Sequence, residues 1–175
     1  MNTIREGAME TIAEISVSGG TPKMRNIVKA GADWMLESEL GPRLARAVSV
    51  KILLIHDLKK NEGVLGDCAV IVDSDIYCPR EFEVRIESNN TPYGRMLALS
   101  HELIHVKQYA KNELYDYSGD RFVRFRNRRI DYSKTPYRKQ PWEKEAHARE
   151  RPLLFSWADA TNSRHLIKQR YESDE

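Results

Sequence analysis

The stretch His101-Glu102-Leu103-Ile104-His105 constrains this chain more than any other. With 5 His residues in 175 positions, an HExxH pattern arises by chance in about 1% of such sequences, so it demands a physical reading. On a helix, side chains four residues apart project from one face, and two imidazoles so placed can grip a single cation from one side. Glu102 stands one residue round the helix from His101 and can reach a water held at that cation without itself ligating.

The surroundings of the motif predict the helix it needs. Thr91-Pro92 reads as an N-cap and a first helical residue, and the helix is expected to run to about Leu114. Met96, Leu99, Leu103, Val106 and Ala110 form an apolar stripe at helical spacing. Leu97, His101, Ile104, His105 and Gln108 form the adjacent stripe. One flank of this helix therefore belongs to a core and the next flank to a site. Two imidazoles leave a metal short of ligands, and the stretch Pro141 to Arg149 offers Glu143, Glu145 and His147. Pro141 at a first helical position puts Glu143 in the first turn of a second helix. His147 is the weakest of the three, because the longer HExxHxxGxxH pattern is absent, with Gln108 and Lys111 at its extra positions. A catalytic site with such ligands suits Zn2+, which keeps one open position for water and brings that water's ionisation near neutrality. Glu102 is then the general base, His101 and His105 are metal ligands, and water attack on a carbonyl is the expected chemistry.

The remaining segments predict an α+β fold. A helix is expected from Thr21-Pro22 to about Leu40, stopped by Gly41-Pro42. Strands are expected at Val48–Leu58, Val64–Val72 and Phe82–Ile86, the last alternating apolar and charged residues. Three short strands in succession suggest a small, mostly antiparallel sheet. A further strand-like stretch covers Phe122 to Tyr132, and a last helix starts near Pro141, with a break expected at Pro152. Ser18-Gly19-Gly20 suggests that residues 1–20 form a flexible N-terminal segment ahead of a single domain over 21–175. Trp142 and Trp157 read as core residues, and His56 and His165 as structural or exposed.

Composition narrows the partners. A formal charge of +2 does not mark the whole chain as a nucleic-acid binder. The charge is uneven, however: Arg121, Arg124, Arg126, Arg128, Arg129, Lys134 and Arg138 share one segment with Asp131 alone. This Arg121–Arg138 segment reads first as a solvated face and second as a rim attracting acidic peptide or nucleic acid. Cys68 and Cys78 are too few for a disulfide framework and read as reduced thiols. No apolar run approaches the length of a membrane span, and the N-terminal residues lack a signal-peptide h-region. A cytoplasmic protein of a bacterial or phage-infected host is expected, acting on a peptide or protein substrate with no membrane partner.

Residues 101–105, taken with the stretch Pro141-Trp142-Glu143-Lys144-Glu145-Ala146, resemble gluzincin-type metallopeptidases, in which a glutamate on a second helix follows HExxH. The Glu143-Lys144-Glu145-Ala146 spacing resembles the ImmA/IrrE-type metallopeptidases, with His147 where that type carries Asn. Small zincins predicted in bacteriophage genomes are similar. The resemblance spans about residues 91–150. It implies a minimal zincin fold, an N-terminal helix and an active-site helix against a small sheet, and zinc held by His101, His105 and Glu143, with Glu145 as the alternative. It also implies that Phe82–Glu87 is the edge strand beside the active-site helix that pairs with substrate. Tyr132, Tyr137, Arg138 and His147 are candidates to stabilise the oxyanion. A non-catalytic zinc-containing binding module and an SprT-like protease acting on DNA-bound proteins are the alternative readings.

Overall fold

The computed structural model describes residues 13–71, 77–117 and 120–168. Strand β1 (Glu14–Gly19) leads into helix α1 (Pro22–Leu40), the short helix α2 (Pro42–Ala45) and strand β2 (Ser49–Ile55). Helix α3 (Leu58–Glu62), strand β3 (Gly66–Val70) and strand β4 (Glu81–Glu87) follow. Helix α4 (Pro92–Ala110) carries the HExxH residues. Strands β5 (Leu114–Asp116), β6 (Phe122–Phe125) and β7 (Arg128–Asp131) precede the last long helix, α5 (Pro141–Ala160). The architecture is α+β, as the sequence suggested.

The starts of α1 and α4 obey the capping rules. The Thr21 hydroxyl accepts from the Met24 N–H at 3.2 Å, and the Thr91 hydroxyl accepts from the Gly94 N–H at 3.0 Å. Each cap satisfies one orphan donor, and Pro22 and Pro92 have no N–H to leave unpaired. Helix α4 ends at Ala110, and Leu114 belongs to β5. Helix α5 continues through Pro152 rather than breaking there.

Two expectations about the sheet are corrected. The four-stranded sheet has order β1-β2-β4-β3, with β1–β2 and β2–β4 parallel and only β3–β4 antiparallel. Parallel pairing follows from the connections: β1 reaches β2 through α1, and a crossover returns the chain in the same direction. The antiparallel arrangement holds instead in the smaller β5-β6-β7 sheet. Within 1–20, Glu14–Gly19 is a sheet strand, held because Ile15 and Val17 pair beside Val50 and Ile52 on the core face. Residues 1–12 lie outside the described residues.

The correction that matters most for the site concerns β4. Phe82–Glu87 is an interior strand between β2 and β3, with Phe82, Val84 and Ile86 fully buried. The edge strand packed against α4 is β3. Across the sheet, the rows Ile15–Val50–Phe82–Val70 and Val17–Ile52–Val84–Cys68 share one face. Helices α1 and α4 cover this face, and α5 packs against α4. The opposite face carries charged pairs, including Lys51–Glu83 at 2.9 Å and Arg85 with Glu62 and Asp67. At the α1–α4 contact a Cβ on Gly31 would meet Met96 Cε at 2.4 Å, so a side chain there requires the Met96 terminus to shift. Trp157 is buried at the centre and Trp142 packs with Leu114, Val123 and Phe125 in a second small core, as expected of both tryptophans. Among the described residues no helix is long and apolar enough to cross a membrane.

Candidate metal centre

The α4 stripe that holds His101 and His105 faces α5, and α5 presents Glu143 from its first turn. The three side chains are buried together. His101 Nε2 and His105 Nε2 lie 3.2 Å apart, His101 Nε2 and Glu143 Oε2 3.3 Å, and His105 Nε2 and Glu143 Oε1 3.4 Å. Zinc with bonds of 2.0–2.2 Å in a tetrahedron would set its ligand atoms about 3.3–3.6 Å apart. The donor triangle fits that size, and its chemistry, two imidazole nitrogens and one carboxylate, suits a first-row divalent ion. These residues can therefore hold a metal ion.

The outer nitrogens of both rings are engaged. His101 Nδ1–H donates to Glu150 Oε2 at 2.7 Å, and His105 Nδ1–H donates to Gln108 Oε1 at 2.8 Å. Each bond fixes the tautomer that leaves Nε2 free to ligate. The Gln108 amide is itself oriented: its Nε2 donates to the Trp142 carbonyl at 3.0 Å and to Glu145 Oε2 at 3.3 Å. Neither Gln108 nor Glu150 was given a role from sequence. Helical spacing offered a signal for both. Gln108 stands three residues after His105, and Glu150 stands seven after Glu143 on one face of α5.

Glu145 is not a ligand in this arrangement. Its carboxylate meets Lys107 Nζ at 2.9 Å, an Arg126 nitrogen at 2.8 Å and an Arg149 nitrogen at 3.3 Å. It neutralises the buried Lys107 together with Glu113, 2.6 Å from the same ammonium. His147 lies outside the donor triangle, half exposed, with Nδ1 3.3 Å from Glu150 Oε2 and its ring 4.7 Å from the His101 ring.

Charge in the centre is strongly perturbed. Burial disfavours the His101 cation, but the Glu143 and Glu150 carboxylates outweigh that cost and raise its pKa to about 10. His105 is raised in the same direction against burial by Glu143 and Glu102. Burial pushes the Glu143 carboxyl up, yet its bonds to His101 and His105 hold it well below the usual carboxylate range. Burial raises Glu102 to about 7, against the pull of His105 and His101. A metal ion on both Nε2 atoms competes with protons for the same lone pairs, so uptake releases protons.

Glu102 sits on the other side of the histidines, against β3. A Cβ on Gly66 would lie 3.1 Å from both Glu102 Cγ and Glu102 Oε1, so the absence of a side chain at 66 makes the room that Glu102 occupies. The centre opens into a cleft of about 810 Å3 lined by both sides of this arrangement, including Gly66, Cys68, Leu97, Tyr109, Tyr137 and Arg138. Cys68 and Cys78 are both free thiols, and burial with nearby Glu102 and Asp67 pushes the Cys68 thiol up, so it stays protonated. Of the oxyanion candidates, Tyr137, Arg138 and His147 line the cleft, and burial together with the nearby Glu143 carboxylate pushes the Tyr137 hydroxyl's pKa up. Tyr132 does not line it; its hydroxyl donates to the Asp120 carbonyl at 3.3 Å, because the residue belongs to the turn after the hairpin. His56 and His165 are exposed.

No family model, no curated protein and no solved structure matches this chain.

Proposed function

We propose that the protein is a zinc-dependent metallopeptidase in which His101, His105 and Glu143 hold the ion and Glu102 is the general base. The observation that carries this reading is the donor triangle of 3.2–3.4 Å with a non-ligating carboxylate, Glu102, buried beside it. Zinc at such a site supplies Lewis acidity, lowering the pKa of a water and polarising a carbonyl.

The chain's own residues do the rest. Glu102 takes a proton from the attacking water and returns it to the leaving nitrogen as the C–N bond breaks, giving a carboxylic acid and an amine. The Tyr137 hydroxyl and the His147 ring stand at the cleft wall as donors for the developing oxyanion. Glu150 and Gln108 keep the two imidazoles aimed through their Nδ1 atoms.

The β3 edge favours a peptide as substrate. Glu87 N–H bonds the Leu65 carbonyl and Ile71 N–H bonds the Glu81 carbonyl. In this antiparallel register Asp67 and Ala69 therefore also bond towards β4, while Gly66 and Cys68 turn their N–H and C=O groups to the open edge. Both residues line the cleft, so an extended backbone can add to β3 beside Glu102.

The test is to measure zinc in the purified protein by mass spectrometry and to compare Glu102→Gln with the parent on casein or a quenched peptide library. The expected result is one zinc per chain in both, and hydrolysis only by the parent. Zinc-free parent protein, or a Glu102→Gln variant hydrolysing at the parental rate, would overturn the reading.

A further inference from the structure

We propose that the outward face of the β5–β6–β7 sheet binds single-stranded nucleic acid. The surface is built separately from the metal centre and does not depend on hydrolysis there.

Residues paired across antiparallel strands share a face. Tyr115 pairs with Arg124, and Arg124 with Arg129, so one row of this sheet runs Tyr–Arg–Arg. Phe122 lies two residues before Arg124 and faces the same way. The other face holds Leu114, Val123 and Phe125, which are buried with Trp142. The hydrophobic requirement of the sheet is thus met on one side, and the aromatic rings on the other side need a different explanation.

Those rings alternate with guanidinium groups. Tyr77 stacks on Tyr115 at 5.2 Å with planes 11° apart, and Tyr117 meets Tyr115 edge-on at 4.8 Å. Arg129 lies 3.9 Å from the centre of the Phe122 ring, and Arg124 lies 5.7 Å from that of Tyr115. Arg129 is anchored by Asp120 at 3.1 Å and Arg121 by Asp131 at 3.3 Å. Residues 111–139 carry nine Lys and Arg against four Asp and Glu, a net +5 in a chain whose total is +2. The rest of the chain is therefore net negative, and the positive charge concentrates on this segment.

A polyanion is the complementary partner. The rings decide which polyanion: planar bases stack on aromatic side chains and guanidiniums, whereas an acidic peptide offers nothing flat to them. Base faces are accessible in a single strand and hidden in a duplex.

Fluorescence anisotropy of the full chain with a labelled oligothymidine of about 20 nucleotides tests this directly. The expected result is saturable binding at about 50 mM salt, tighter than to a duplex of equal length. The log–log salt slope should be about −2 to −3, for three or four phosphates. Tyr115→Ala should weaken binding about tenfold without changing the slope, since stacking is lost and phosphate contacts stay. The double variant Arg124→Ser/Arg129→Ser should weaken it further and flatten the slope by about 1.4. Arg121→Ser, at an exposed position over the Phe122 ring, should flatten it by about 0.7 and serves if the double variant fails to fold. Glu102→Gln should bind as the parent does. No binding at low salt, variants that bind like the parent, or tighter binding of a labelled polyglutamate peptide would each overturn the proposal.

Discussion

Gln108 is fully buried, and through it the second helix controls the first. Replacing it with leucine keeps the volume but removes three hydrogen bonds: from His105 Nδ1 at 2.8 Å, to the Trp142 carbonyl at 3.0 Å and to Glu145 at 3.3 Å. The His105 ring then loses the acceptor that fixes its tautomer and its direction. Loss of such a partner typically weakens metal affinity tenfold to a hundredfold, or about 1.4–2.8 kcal/mol. The His105 N–H is left unsatisfied in the interior, at about 1–3 kcal/mol before relaxation, while the Trp142 carbonyl keeps its helical partner in α5. Gln108→Leu should therefore bind zinc at least tenfold more weakly in competition with a chromophoric chelator, and should unfold at lower urea. Gln108→Glu separates the two effects. Its carboxylate still accepts from His105, so metal affinity should stay near the parent's, while the lost donor to Trp142 and the approach to Glu145 still cost stability. If Gln108→Leu holds zinc as tightly as the parent, the Gln108–His105 bond does not organise the site.

Glu143→Ala should weaken zinc beyond the roughly hundredfold expected of an outer partner, whereas Glu145→Ala should keep full metal content. Glu145→Ala should instead lose about 2 kcal/mol in urea unfolding, because the buried Lys107 keeps only Glu113; equal metal loss in the two variants would reject the assignment. Gly66→Ala should retain zinc but lower kcat severalfold, since its Cβ pushes Glu102 from its place at 3.1 Å. An unchanged kcat would refute this. Glu87 accepts from the N–H groups of Lys59 at 2.8 Å, Asn89 at 2.7 Å and Asp57 at 3.2 Å. Burial works against its charge, but these bonds hold its pKa below the ordinary value. A lowered folded pKa gives stability that is complete above the unfolded value near 4.3 and is lost as pH falls through the folded one. Urea midpoints taken from about pH 3 to 7 should therefore rise less steeply in Glu87→Gln, and parallel curves would exclude the role.

The sequence by itself determined the local features. The spacing of His101 and His105, the capped start of α4 at Thr91-Pro92 and the apolar stripe from Met96 to Ala110 are consequences of one helical period. They were legible without knowing what the helix touches. Strands β2, β3 and β4 were legible for the same reason, because alternation at Phe82, Val84 and Ile86 is a property of an extended chain, whereas β1 and β5 were not. What lies between elements was not. Glu143 and Glu145 sit two residues apart, about 200° round α5, on opposite sides of the helix. Only the packing of α5 on α4 turned Glu143 to the histidines and left Glu145 with Lys107 and Arg126. The direction of β1, β2 and β4 depends on crossovers, so an expectation of antiparallel strands could not be tested by pattern. Which strand forms the edge beside Glu102 depends on sheet order, which moved that role from Phe82–Glu87 to Gly66–Val70. Glu150 and Gly66 reach the site across 49 and 36 residues of chain, from His101 and to Glu102 respectively. Contacts at such separations are set by how packed elements meet, and no periodicity within either element records them.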